Sequence, residues 1–302
     1  VKILSIDGGG IRGLLPALVL AEFESQTGRP IAKSFDLIAG TSTGGILALG
    51  LAAGIPAMRL AEFYLERGPA IFSRSLKKRI ESVGGLTDEM YGAGELEIAL
   101  VDLFGDRTLS SVEPHAHALA VAYDIEARET MSFCSWGGED FRLADVGRAT
   151  SAAPTYFEPF MLKSLKGVAM PCIDGGVVAN NPSMIAYLLW GAGTTDAKNI
   201  RLVSLGTGRR DTPLLLSDAR GFGLAQWAPH LVDIMFSGSS ELIHEQCARL
   251  LGENYLRLQA DLPEDVPMDG TDAKHFAVLK LAAKRLAASP EASRALAIVR
   301  TA

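Results

Sequence analysis

Cysteine is scarce in this chain. There are three in 302 residues, Cys134, Cys172 and Cys247, with no paired spacing. That pattern argues against a disulfide framework and suits a reducing compartment. Positive charge is in the minority: 29 Lys and Arg stand against 35 Asp and Glu, a net charge of −6. This acidic balance disfavours nucleic acid as the main partner. Also missing are a signal-peptide pattern and any uncharged apolar run of 18 residues, so a soluble mature domain acting in the cytoplasm is expected. There is no internal repeat, low-complexity tract or linker. A second domain is therefore not supported, and 302 residues at 48% hydrophobic content fit one α/β domain with a large core. The five histidines are His115, His117, His230, His244 and His275, and none sits in a turn motif after a strand. His115-x-His117 has the look of a metal half-site, but no Cys or carboxylate cluster completes it; a loop leading into a strand is the better reading. No metal and no cofactor is expected, and nothing in the sequence speaks to oligomeric state.

What is present is glycine in particular places. Gly40-Thr41-Ser42-Thr43-Gly44 follows residues 35–39, which read as a short buried strand, and precedes an apolar helix from Gly45 to Ala53. A strand that turns sharply into a helix thrusts its turn residue outward. Glycines at −2 and +2 remove the Cβ atoms that would clash there. The helix starts at the serine, so its unpaired N–H groups face any negative charge forming nearby. Ser42 is a candidate nucleophile; the alternative is a structural turn.

A second glycine turn, Asp7-Gly8-Gly9-Gly10-Ile11-Arg12-Gly13, follows a strand at residues 1–6 and runs into another apolar helix. Its bare N–H groups can converge on an anion. Gly8-x-Gly10-x-x-Gly13 matches the dinucleotide fingerprint, but that reading needs an acid at the end of the next strand, and Asp36 lies at the start. An oxyanion hole for acyl transfer and a packing turn remain. A third turn, Asp174-Gly175-Gly176, comes with Ile173 after the apolar run from Gly167 to Cys172. Its carboxylate can take a proton from a serine hydroxyl if burial raises its pKa, or it is an ordinary turn aspartate.

The three turns together closely resemble the signature of the patatin-like phospholipases. Further segments are similar to that family in the expected order: Arg148-Ala149-Thr150-Ser151-Ala152-Ala153-Pro154-Thr155-Tyr156-Phe157, Asn180-Asn181-Pro182, and Ser204-Leu205-Gly206-Thr207-Gly208. The resemblance spans residues 1 to about 210, with no departure at a motif position. It implies a Ser–Asp dyad, with Ser42 as nucleophile and Asp174 as general base. Amides of Gly8, Gly9 and Gly10, with Arg12 alongside, would form the oxyanion hole; Gly13, Gly40, Gly44, Gly175 and Gly176 complete the motifs. It also implies hydrolysis of membrane phospholipid or galactolipid through an acyl-enzyme, without a metal.

Strands at residues 1–6, 35–39, 118–124, 130–134, 168–173, 200–205 and 254–258 alternate with helical runs. That rhythm predicts an α/β fold, a mainly parallel central sheet with helices on both faces, and residues 123–131 as a hairpin. Residues 1–302 are expected to form one patatin-like catalytic domain, with 211–302 supplying C-terminal helices and one strand. Asn181-Pro182 should open a helix carrying Met184 to Trp190. Residues 278–299 read as an Ala-rich amphipathic helix interrupted at Ser289-Pro290. Arg67, Arg74, Lys77, Lys78 and Arg79, around Ile71, Phe72, Leu76 and Ile80, suit either transient contact with anionic lipid or a solvated face. Phe222, Leu224, Trp227, Leu231 and Phe236 read equally as an acyl channel or lid and as a core helix.

Overall fold

The computed structural model describes residues 1–73, 91–112, 116–191, 196–210 and 213–300. A sheet of eight strands runs through the centre. Its members are β1 (Lys2–Ile6), β2 (Leu37–Thr41), β3 (His117–Asp124), β4 (Glu129–Cys134), β5 (Phe160–Lys163), β6 (Ala169–Asp174), β7 (Arg201–Leu205) and β9 (Tyr255–Leu258). Two further short strands, β8 (Arg209–Arg210) and β10 (Asp261–Leu262), pair with each other. The expectation of a mainly parallel sheet holds for its centre, where β3, β2, β1, β7 and β9 lie side by side and parallel. One edge departs from it: β4, β5 and β6 are joined by antiparallel pairing. The hairpin between β3 and β4 forms as expected. Asp124 Oδ1 closes its turn by accepting the N–H groups of Glu126 and Ala127 at 2.9 and 3.0 Å.

Side chains alternate across the sheet with the two-residue period of a strand, and every strand at the centre is buried on both faces. Leu4, Ile6, Ile38, Ala118 and Ala120 pack into one hydrophobic layer, whereas Ile3, Leu37, Ala39, Leu119 and Val121 pack into the other. The first layer is covered by helices α1 (Leu14–Thr27), α2 (Thr43–Ala52), α3 (Ala57–Ile71), α4 (Gly94–Phe104) and α5 (Leu143–Thr150). The second is covered by the helical stretch from Gly176 to Gly191 and by α6 (Leu224–Leu251). Every residue of α2 is buried, which is why its sequence has no polar face.

One helix start shifts by a residue, and one expected interruption is present. The helix near Asn181-Pro182 starts at Ser183, with Pro182 just outside it, and Asn181 Oδ1 accepts the Ser183 N–H at 3.1 Å. The C-terminal run is two helices, α7 (Ala273–Ala287) and α8 (Pro290–Arg300), because Pro290 cannot continue a helix and instead opens the next one. Among the described residues, no helix is long and apolar enough to cross a membrane.

Register places the loops. Ile6 pairs with Gly40 on one side and Leu205 on the other, and Leu205 pairs with Leu258. Four parallel strands therefore end in one row, and the segments beyond them (Asp7 to Gly10, Ser42, Gly206 to Gly208, and Gln259) emerge together. This is the carboxyl edge at which open α/β sheets bind ligands.

Candidate active site

Ser42 joins β2 to α2 with φ 56° and ψ −125°, a left-handed conformation that non-glycine residues rarely adopt. The surroundings hold it there. Its N–H donates to Thr150 Oγ1 at 2.8 Å, and the Thr150 hydroxyl in turn donates to the Val121 carbonyl on β3 at 2.5 Å. The flanking glycines are needed for space: a Cβ on Gly40 would run into the Gly44 carbonyl, and one on Gly44 into the carbonyls of Ile6 and Asp7. Thr43 donates its own hydroxyl to Tyr64, at 2.6 Å.

Asp174 reaches the serine by an unusual strand arrangement. On β3, residues 117–121 pair with β2, residues 122–124 pair with β6, and residues 119–124 pair with β4. A strand has two edges and β4 fills one along both stretches, so β2 and β6 share the other. They meet end to end: Thr41 sits opposite Val121, and Asp174 opposite Ala122. The residue after Thr41 is Ser42. The antiparallel edge of the sheet is thus what brings the carboxylate to the hydroxyl. A Cβ on Gly175 would strike the Val121 carbonyl, so the turn after Asp174 can lie against β3 only with glycine there.

The Asp174 carboxyl is fully buried. Its Oδ1 accepts the Gly176 N–H at 2.7 Å. Its Oδ2 is buried with no hydrogen-bond partner among the described residues, and the Ser42 hydroxyl lies near enough to favour the charged form. Burial disfavours the charged form and pushes the pKa up to about 7, while the Ser42 and Gly176 donors pull the other way. A carboxyl poised near neutrality beside a serine hydroxyl can take and return a proton.

Gly8 donates its N–H to the Asn180 carbonyl at 3.0 Å and is not available to an anion. The N–H groups of Gly9 and Gly10 have no hydrogen-bond partner among the described residues. The expected trio of donors narrows to these two. Arg12 packs beside them, its Nε donating to the Gly9 carbonyl at 3.3 Å. Gly13 lies where a Cβ would meet the Thr43 hydroxyl, so it lets the two turns pack closely. Gly10, Ser42 and Asp174 line an apolar pocket open to solvent, walled by Ile46, Phe63, Ile71, Phe72, Phe157 and Phe236. Among the described residues no histidine lines it.

Comparison of the sequence with known families settles which fold lineage this site belongs to. The family model described as patatin-like phospholipase matches residues 4–187, a span that contains all three glycine turns. The chain belongs to the patatin-like phospholipase family. It is similar to a cGAMP-activated phospholipase of Pseudomonas aeruginosa, 33% identical over 88% of this chain and 80% of that protein. It is likewise similar to Patatin-like protein 2 of Arabidopsis thaliana, 33% identical over 86% of this chain and 76% of that protein. A cGAMP-activated phospholipase of Escherichia coli is 31% identical over 90% of this chain and 83% of that protein. As a patatin-like phospholipase, the chain is a lipid hydrolase with lipid substrates.

Several groups that build this patatin-like site were not read from the sequence. Asp7 is held by Arg257 through a buried two-pronged ion pair of 2.8 and 2.5 Å, and Arg257 also donates to Ser204 at 2.7 Å. Ser240 bridges Asp7 and Asn180, at 3.2 and 2.9 Å. A charged residue among the apolar residues of the predicted strand 254–258, Arg257, was the available signal, because a buried cation requires a partner. Of the apolar candidates, Phe236 lines the pocket, Phe222 meets Trp227 edge-on and stacks on His230, and Leu231 is exposed. Leu224 lies outside the described side chains. Ile71 and Phe72 line the pocket, and Arg67 pairs with Asp102 at 2.5 Å. Arg74, Leu76, Lys77, Lys78, Arg79 and Ile80 lie outside the described residues, as does His115.

Proposed function

We propose that the protein is a serine lipid acyl hydrolase of the phospholipase A type, working through a Ser42–Asp174 dyad and releasing fatty acids from membrane glycerolipids. The observation that carries this reading is the meeting of an outward-turned Ser42 with a buried Asp174 at one apolar pocket, with no described histidine beside them. Asp174 accepts the hydroxyl proton as Ser42 Oγ attacks the ester carbonyl. The tetrahedral oxyanion is held by the N–H groups of Gly9 and Gly10 and the amino-terminal end of α2. Collapse expels the alcohol, a lysolipid, which leaves with the proton from Asp174. Water then attacks the acyl-Ser42 ester, giving its proton to Asp174; collapse of the second tetrahedral intermediate breaks the bond to Ser42 Oγ, which takes that proton back from Asp174, and the fatty acid departs. No imidazole is required because carboxylate and hydroxyl interact directly.

The apolar walls of the pocket suit an acyl chain. The same helix that lends Phe236 to the pocket leaves Leu231, Ile234 and Met235 exposed, which supports transient docking on a membrane surface. Three free cysteines support a reducing, cytoplasmic setting. The described chain would act as one catalytic domain.

A fluorophosphonate probe tests the reading. It should label Ser42 alone, and Ser42→Ala should lose both labelling and hydrolysis of p-nitrophenyl esters. Turnover retained in Ser42→Ala would remove the serine mechanism.

A further inference from the structure

The glycine loop carries two N–H donors without a partner among the described residues, and their directions are set by what grips the carbonyls one residue earlier. All peptide bonds described are trans. In a trans peptide the C=O of one residue points opposite to the N–H of the next. The carbonyl of Gly8 therefore governs the N–H of Gly9.

That carbonyl accepts the Thr207 hydroxyl at 2.8 Å, with Asn180 Nδ2 beyond it at 3.4 Å. Thr207 comes from the turn after β7 and is buried. The turn is itself fastened: Gly206 donates its N–H to the Leu258 carbonyl at 2.9 Å, and Gly208, at φ +97°, donates to Gln259 Oε1 at 2.9 Å. Thr207 is thus a fixed donor aimed at one peptide plane. It also lies against Gly9, where a Cβ would collide with its hydroxyl.

We propose that Thr207 is a positioning residue for the oxyanion. Its hydroxyl locks the Gly8–Gly9 peptide so that the Gly9 N–H points away from Thr207 and stays available to the developing negative charge. This inference rests on the serine hydrolase reading above. A misaimed donor loses its strength steeply with angle, so its cost falls on the transition state rather than on substrate binding.

The test uses the purified full chain and two substitutions, Thr207→Val, which keeps the shape without the hydroxyl, and Thr207→Ser, which keeps the hydroxyl. Active sites are counted by fluorophosphonate labelling of Ser42, so kcat is expressed per competent site. Thr207→Val should lower kcat about 10-fold or more, toward the 10²-fold scale of a lost oxyanion donor, with KM within about twofold. Thr207→Ser should stay within about threefold of wild type. Affinity for an alkyl trifluoromethyl ketone, which adds to a serine as an oxyanion, should fall in Thr207→Val by the same factor as kcat/KM. Wild-type kcat and ketone affinity in Thr207→Val would overturn the proposal, as would a loss confined to thermal stability and the number of labelled sites. If Thr207→Val does not fold, Thr207→Ala carries the same comparison. Failure of the underlying reading looks different: Ser42 is then unlabelled, or Ser42→Ala still turns over, whatever residue 207 is.

Discussion

Replacing Asp174 with asparagine should make the protein more stable while nearly abolishing its activity, and both effects should follow pH. The carboxyl has an ordinary pKa of 3.8 and is raised to about 7 by burial. Between those values the folded state keeps a proton that the unfolded chain has released. Stability therefore falls as pH rises from about 4 to about 7 and is level above that, because a raised carboxylate pKa makes the charged form costly in the folded state. Three pKa units at about 1.4 kcal/mol each give a cost of about 4 kcal/mol at pH 8. An asparagine side chain there would carry no charge, could accept the Gly176 N–H through its amide oxygen, and would not incur that cost. A chain of 302 residues unfolds with an entropy of about 0.63 kcal/mol/K, so Asp174→Asn should melt about 6 °C above wild type at pH 8 and near wild type at pH 4.5. Activity should move the other way. Only the ionised carboxylate accepts the serine proton, so wild-type kcat/KM should rise tenfold per pH unit up to about pH 7 and then level. Asp174→Asn should lose several powers of ten in kcat at pH 8, and the gap should narrow at lower pH as wild type loses its own carboxylate. Calorimetry and a pH–rate profile on a soluble ester measure both. A stability difference that does not change with pH, together with a rate profile flat down to pH 5, would refute the reasoning.

Gly9→Ala would drive a Cβ into the Thr207 hydroxyl; kcat should fall about 10²-fold in a folded protein, and normal kcat with only a lower Tm would make the loop structural. Arg257→Met leaves Asp7 buried without its ion pair, so denaturant unfolding should show a loss of about 3–5 kcal/mol, whereas a loss below about 1 kcal/mol would mean the pair does not anchor the loop. His230→Ala, His244→Ala and His275→Ala should each cost less than about threefold in kcat, about 0.6 kcal/mol; one as inactive as Ser42→Ala would reveal a hidden triad.

The turn that carries Ser42 was legible because its requirements are local. Gly40 and Gly44 flank Ser42 within five residues, and the apolar run after them has no polar face, as a helix buried all round must have. The glycine turns at Gly8–Gly10 and Gly175–Gly176 were legible for the same reason. Periodicity does not encode strand direction, however, so the antiparallel entry of β6 was not read, and with it the end-to-end meeting of Thr41 and Asp174. β5 was missed because Phe160–Lys163 is four residues following Pro159. The clamps on the glycine loop were out of reach for another reason. Gly8 and Thr207 are 199 positions apart, and Asp7 and Arg257 are 250 apart. They are neighbours only through the register of β1, β7 and β9, which no local pattern specifies. The choice among the three glycine donors likewise depended on the Asn180 carbonyl, which takes the N–H of Gly8.

The most direct measurement of the central claim is a lipid inventory of mixed phospholipid and galactolipid vesicles after exposure to wild type, Ser42→Ala and Asp174→Asn. Free fatty acid and matching lysolipid should accumulate with wild type and stay at background with both variants. Equal release by Ser42→Ala would contradict the account, and so would products cut at the head group, diacylglycerol or phosphatidic acid, in place of fatty acid.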